Sequence, residues 1–215
     1  MATIQDPNVP ANMQRIEAGG NSRVTIGIIG DRYSQGNVTG TIAAALPANS
    51  PVYAMRSSPI TSRRVRIHRM RLQWTTIVAF TVPITAGRRL AIFRGAGAAT
   101  AGGTALGVTS KRDNLSPASQ CDAAATGDQR ISATAALTVV GITFDASPLK
   151  VISLSHVGAA GAFFEQVLEF DDDTGGPLIL NPGELMAIRC PILMDAAGTW
   201  QLAVNCDWTE LDNLA

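Results

Sequence analysis

Between residues 63 and 74 apolar and polar positions alternate, but the alternation changes phase partway: Val65 and Ile67 share one parity, Met70, Leu72 and Trp74 the other. Successive side chains of a strand point to opposite faces, so a change of phase without loss of alternation predicts a β-bulge near His68 and Arg69. Residues 199–210 carry the clearest signal. Trp200, Leu202, Val204, Cys206 and Trp208 occupy one parity, and Gln201, Asn205, Asp207 and Thr209 the other, as in an antiparallel strand with one buried and one wet face. Before it, residues 184–193 are mostly apolar on both parities, and Asp195-Ala196-Ala197-Gly198 reads as the turn of a hairpin joining the two.

Shorter β-rich runs fill much of the remainder. Residues 40–46 and 52–56 flank the turn Pro47-Ala48-Asn49-Ser50-Pro51, and residues 76–84 contain Pro83, which ends a strand or places it at an edge. Further strands are expected at 90–94, 131–144, 149–154 and 163–170. Ala, Gly and Thr dominate residues 95–107, and residues 111–127 continue in the same manner; both read as long loops, with room for a turn of helix around 122–126. Residues 1–36 sustain no helical period and hold one short apolar stretch at 24–29. They read as an extended N-terminal arm that needs a surface to lie on, or else as a tail without fixed structure. The chain thus divides into an arm, 1–36, and a domain, 37–215. Roughly eight to ten short strands with frequent turns and no long helix make that domain all-β, a jelly roll or β-sandwich.

The 215 residues are 46% hydrophobic, which excludes disorder as the main state, and no apolar run is long enough to span a bilayer as a helix. Residues 1–30 lack a basic-then-apolar leader, so the three cysteines, Cys121, Cys190 and Cys206, are expected as free thiols. Seventeen basic and seventeen acidic residues cancel, removing any bulk attraction to nucleic acid or an acidic membrane. Their placement is uneven. Residues 1–100 hold twelve arginines against Asp6, Glu17 and Asp31, whereas residues 101–215 hold five basic residues against fourteen acids.

The inventory of reactive groups is thin. His68 and His156 stand apart from any ligand partner at metal-binding spacing, and the cysteines form no C-x-x-C pair. Asp171-Asp172-Asp173-Thr174-Gly175-Gly176 invites a calcium reading, but an EF-hand's fifth position would be Gly175 and the closing Glu is missing, which favours a solvated acidic turn. Gly95, Gly97, Gly102 and Gly103 lack the G-K-[ST] ending of a phosphate loop. Arg56, Arg63, Arg64, Arg66, Arg69 and Arg71 could form a nucleic-acid stripe, yet only Trp74 offers a stacking platform there. Arginine favours planar, partly buried ion pairs, so the positive first half is expected to meet the negative second half, within the sandwich or across a subunit boundary.

The order of features from Gly40 onward carries a resemblance. GTIAAALPANSPVYAMR leads into the arginine-rich strand ending at Trp74; AGRRLAIFRGAGAATAGGTAL, KRDNLSPAS and RISATAALT follow; LILNPGELMAIRCPI and AGTWQLAVNCDWTEL close the chain. This succession, over about residues 38–211, resembles virion proteins of tailed bacteriophages, in particular jelly-roll proteins that decorate or cement the capsid. Its most specific parts are the Asn-Pro-Gly-Glu turn at 181–184 and Trp-Thr-Glu at 208–210. The resemblance implies a homotrimer at local three-fold positions of the shell, made in the host cytoplasm and bound to the major capsid protein, with an N-terminal arm reaching across the surface. It carries over no catalytic residues, and the residues and charge themselves lead to the expectation of no cofactor, no metal, and neither nucleic acid nor membrane as partner. Two rivals remain. A tail or baseplate module binding host glycans would need Tyr33, Tyr53 or a tryptophan as an exposed platform, although Trp200 and Trp208 fall on the apolar parity of their strand; a cupin-type enzyme would need a histidine-rich metal set.

Overall fold

The computed structural model describes residues 3–5, 13–15, 30–80, 87–107, 110–111, 117–122, 127–154, 157–170 and 176–211. The chain forms two compact units, residues 1–30 and 31–215. The first contains a small antiparallel pair, β1 (Thr3–Gln5) with β2 (Met13–Arg15).

The second unit is built entirely of strands among the described residues: β3 (Gly30–Val38), β4 (Ser50–Arg56), β5 (Arg64–Val78), β6 (Arg89–Gly97), β7 (Thr104–Ala105), β8 (Ser110–Lys111), β9 (Asp128–Ile131), β10 (Ile142–Phe144), β11 (Lys150–Ser153), β12 (Phe163–Glu169), β13 (Leu178–Leu180), β14 (Glu184–Cys190) and β15 (Thr199–Leu211). A seven-stranded sheet runs β10-β6-β14-β4-β9-β7, with β11 also on β6. A six-stranded sheet runs β12-β5-β15-β3-β8, with β13 also on β5. The pairings are antiparallel, and the two sheets form a sandwich consistent with a jelly roll.

Alternation along β5 and β15 sends Val65, Ile67, Met70, Leu72 and Trp74, with Trp200, Leu202, Val204, Cys206 and Trp208, into one core. Met186, Ile188 and Cys190 of β14 and Leu90 and Ile92 of β6 meet them from the other sheet. Trp74 stacks on Trp200 with ring centroids 3.9 Å apart, and Tyr33 stacks on Trp208 at 5.6 Å. Burying each such ring is worth about 1.5–3 kcal/mol, so this aromatic spine contributes heavily to the fold. The expected bulge is present: Asp207 lies opposite Arg69 and Trp208 opposite Ile67, leaving His68 as the extra residue. A second irregularity near the other end sets Trp200 opposite Thr76 and Thr199 opposite Val78.

Several expectations are corrected. Residues 184–193 and 199–210 do not form a hairpin, because β14 belongs to the seven-stranded sheet and β15 to the six-stranded one. The Asp195–Gly198 stretch therefore belongs to a crossover between sheets. Residues 31–36, assigned above to the arm, lie in β3 within the sandwich, with Tyr33 fully buried. Residues 40–46 make only an isolated bridge, Ile42 to Trp200. Residues 131–144 are mostly the loop joining β9, which ends at Ile131, to β10, which starts at Ile142, while β5 continues through Trp74 to Val78 in one strand. The turn of helix near 122–126 and the Pro83 strand end fall largely outside the described residues. Gly95 and Gly97, read from the sequence as loop, lie in β6, where a Cβ on Gly97 would meet Gly141 O at 2.2 Å. That close approach to β10 explains why small residues fill this segment.

Candidate functional site

The outer faces of the two sheets differ. Leu185 and Ala187 of β14 and Ala54 of β4 point away from the main core, yet all three are buried. The chain covers them itself: Leu137, from the segment between β9 and β10, and Ile142 and Phe144 of β10 pack against them as a second small core. Arg189 seals the edge of this cover, its guanidinium carbon 4.8 Å from the Phe93 ring centroid and 4.2 Å from that of Phe144.

The six-stranded sheet has an exposed outer face. Phe163 and Val167 of β12, Ile77 and Val78 of β5, and Val38 of β3 remain exposed, Phe163 by 59%. A row of charge crosses the same face. Arg71 forms a two-pronged pair with Glu165 of β12, each bond 2.8 Å, and Gln73 donates to Glu165 at 2.9 Å. The Arg71 hydrogen bonds hold the Glu165 carboxyl below the ordinary carboxylate range, and water, which reaches both side chains, screens much of the pair's effect on stability.

This pairing is part of a wider pattern anticipated from the charge asymmetry. Arg71–Glu165, Arg88–Asp195, Arg94–Asp145 and Arg94–Glu184 each join an arginine of the first hundred residues to an acid of the second half. The Asn181–Glu184 turn shows why Asn-Pro-Gly-Glu stands where it does: Glu184 Oε2 accepts from Asn181 N at 2.8 Å and from its side-chain amide at 3.1 Å. The turn thereby closes on itself and presents Glu184 to Arg94.

The candidate chemistry groups are dispersed or buried. His68 Nε2 lies 2.6 Å from Thr209 Oγ1, while Ser34 Oγ donates to Asp207 Oδ1 at 2.6 Å. Serine, histidine and aspartate thus stand in one neighbourhood, but the serine proton is directed to the carboxylate rather than to the imidazole, unlike a nucleophile and its base. Cys121, Cys190 and Cys206 are buried free thiols, as expected. Burial pushes the Cys190 thiol up to about 12 and raises Cys121 and Cys206 as well, so none forms the thiolate a nucleophile requires at neutral pH. No group of three or more His, Cys, Asp or Glu suited to a metal occurs among the described residues. His156 and Asp171 to Gly175 lie outside the described residues.

Two buried polar constellations escaped the sequence reading. Glu210 accepts at Oε1 from Ser119 Oγ at 2.6 Å, Gln120 N at 2.8 Å and Trp208 Nε1 at 3.3 Å, and burial raises its carboxyl above the usual range. Asp128 accepts from Thr100 N at 2.8 Å, from the Thr100 hydroxyl and from Arg130 Nε at 2.9 Å. Both anchor loops to strands, and both are assembled from distant segments that no local motif marks. Tyr33, Tyr53, Trp74, Trp200 and Trp208 are all at most 1% exposed, so none offers a ring face for a sugar to stack on.

No family model matches the chain, and no curated protein matches it. Among solved structures, a chain from the structure of infectious bursal disease virus Gx strain aligns with 13% identity over 83% of this chain and 41% of its own, at a TM-score of 0.10. This chain therefore spans about two fifths of that one, and an alignment at this score carries neither fold nor role across.

Proposed function

We propose that this chain is a structural virion protein of a tailed bacteriophage, a homotrimer that seats on the outside of the capsid, binds the major capsid protein and cements adjacent capsomers. The observation that carries the reading is the contrast between the two outer faces. Part of the seven-stranded sheet's outer face is covered by Leu137, Ile142 and Phe144, although Val151 of β11 stays exposed, whereas the six-stranded sheet presents exposed Phe163, Ile77 and Val167 interspersed with arginine and glutamate. Exposed aromatic and aliphatic groups beside arginine are the composition of a protein contact surface. The ordered succession of segments described above, with its Asn-Pro-Gly-Glu turn, supports the bacteriophage assignment, and the all-β sandwich agrees with it. The glycan-stacking alternative loses its platforms with the burial of the five aromatic side chains it would use.

Binding that exists only in the assembled shell stabilises that shell by mass action. Shells assembled with the protein are expected to survive heating and low salt that disrupt shells lacking it, with light scattering as the readout. Equal disruption temperatures with and without saturating protein would refute the cementing role.

A further inference from the structure

At the end of the six-stranded sheet remote from Phe163 and Ile77, β15 is flanked by a guanidinium on each neighbouring strand. Arg69 of β5 and Arg32 of β3, with Asp207, Thr209 and His68, line a cleft of about 300 Å³. The bulge builds it. As the extra residue between Ile67 and Arg69, His68 leaves the inward row and its ring meets Thr209 instead of the core. Eight residues along β5, roughly 26 Å, separate Arg69 from Ile77, so the cleft is distinct from the apolar end of the face.

The two guanidinium groups set the chemistry. Arg63, Arg71, Arg88, Arg94 and Arg130 each meet a carboxylate, but Arg32 and Arg69 have no ion-pair partner among the described residues. A planar fork matches a carboxylate or phosphate, and two on opposite sides of one cleft favour an anionic group between them. Asp207 narrows the choice. Its carboxylate, whose Oδ1 already accepts from Ser34, repels a compact dianion such as phosphate more strongly than a singly charged carboxylate and can still accept from hydroxyls, and the imidazole of His68 lines the same cleft. The lining therefore calls for a ligand with one carboxylate and neighbouring hydroxyls. A neutral sugar would depend on aromatic stacking, which the buried rings deny it.

We propose that this cleft binds an acidic sugar residue, its carboxylate held by Arg32 and Arg69 and its hydroxyls by Asp207 and His68. The volume is at the low end for ligand sites, suiting one sugar ring. The proposal requires neither a trimer nor a shell and stands or falls apart from the cementing role.

The test is titration of the full chain with glucuronate, glucose and inorganic phosphate, followed by calorimetry and by chemical-shift change. Glucuronate is expected to bind at least about tenfold more tightly than glucose or phosphate, and Arg32→Gln and Arg69→Gln each to weaken it by about tenfold or more. Arg64→Gln, on β5 outside the cleft, is expected to leave binding unchanged. Thermal unfolding of each variant confirms that the sandwich is intact. Equal binding of phosphate and glucuronate would mean a bare anion site and overturn the assignment. So would binding of glucose as tight as glucuronate, insensitivity to both cleft arginines, or no binding of glucuronate at all.

Discussion

Replacing Asp195 by Ala is expected to destabilise the sandwich by about 3–5 kcal/mol, because it strips the counter-charge from a guanidinium that the fold holds out of water. Arg88 precedes β6 and pairs with Asp195 in the crossover from β14 to β15, with side-chain exposures of 9% and 0%. The same guanidinium sits over the Phe80 ring at 4.1 Å, and Phe80 in turn packs against Trp74. The backbone oxygen of Asp195 accepts from Ala45 N at 2.6 Å, so the residue also fixes the segment after β3. One ion pair thus fastens the start of β6, in the seven-stranded sheet, to the crossover into the other sheet. Urea unfolding at pH 7 reads the cost as a fall in midpoint at unchanged slope. Because a buried pair removed whole costs much less than one cut in half, Arg88→Met combined with Asp195→Ala is expected to recover most of the loss. A double variant as unstable as Asp195→Ala alone would show that Asp195 acts through its other contacts rather than through charge.

Glu210 gives the second large effect and sets a pH dependence of unusual sign. Three donors converge on its Oε1 while Oε2 is buried without a hydrogen-bond partner, and burial is the largest cause of its raised pKa. Glu210→Ala leaves Ser119, Gln120 and Trp208 without their acceptor and is expected to cost about 2–4 kcal/mol. The native chain holds the Glu210 proton to higher pH than the unfolded chain does. Between the ordinary carboxylate value and the raised one it binds more protons, so this group's contribution to stability falls as pH rises through that window. Relative to Glu210→Gln, the natural chain should therefore gain stability as the pH is lowered from 7 toward the ordinary carboxylate value. A difference between the two that is flat with pH would contradict a raised carboxyl.

The strands that alternate cleanly are the ones the sequence discloses. β15 and β5 each bury one face, so side-chain period and burial coincide, and even the bulge at His68 is written as a change of phase. β14 is also visible, but its apolar residues on both parities read as one arm of a hairpin. In the structure those two parities serve two cores, the inner one and the small one under Leu137 and Phe144. Turn chemistry at 195–198 could not reveal that the chain changes sheet there, because a crossover and a hairpin use the same turn residues. β3 was hidden for the opposite reason: along with Tyr33, its inward positions include the half-buried Gln35 and Asn37, and no apolar alternation results. The segment 131–144 reads as a strand because a loop that must cover a hydrophobic face needs the same apolar residues a strand does.

The sites were less legible than the fold. Charge asymmetry between the halves anticipates the pairs of Arg71, Arg88 and Arg94 with acids of the second half, since it is a sum over many residues and needs no register, but not Arg63–Asp31 or Arg130–Asp128, each within one half. The cleft depends on three neighbouring strands, with Arg32, Arg69 and Asp207 brought together only by pairing, so no spacing along the chain reports it. Glu210 looked like part of a terminal Trp-Thr-Glu motif, and its role as a buried acceptor emerges only when Ser119 and Gln120 arrive from a loop ninety residues away.

The central claim is placement on a capsid, and electron microscopy of intact particles labelled with a gold-tagged antibody against this chain tests it most directly. Gold spread over the head at regular positions is the predicted result. Gold confined to the tail tip, or absent from purified particles, would contradict it.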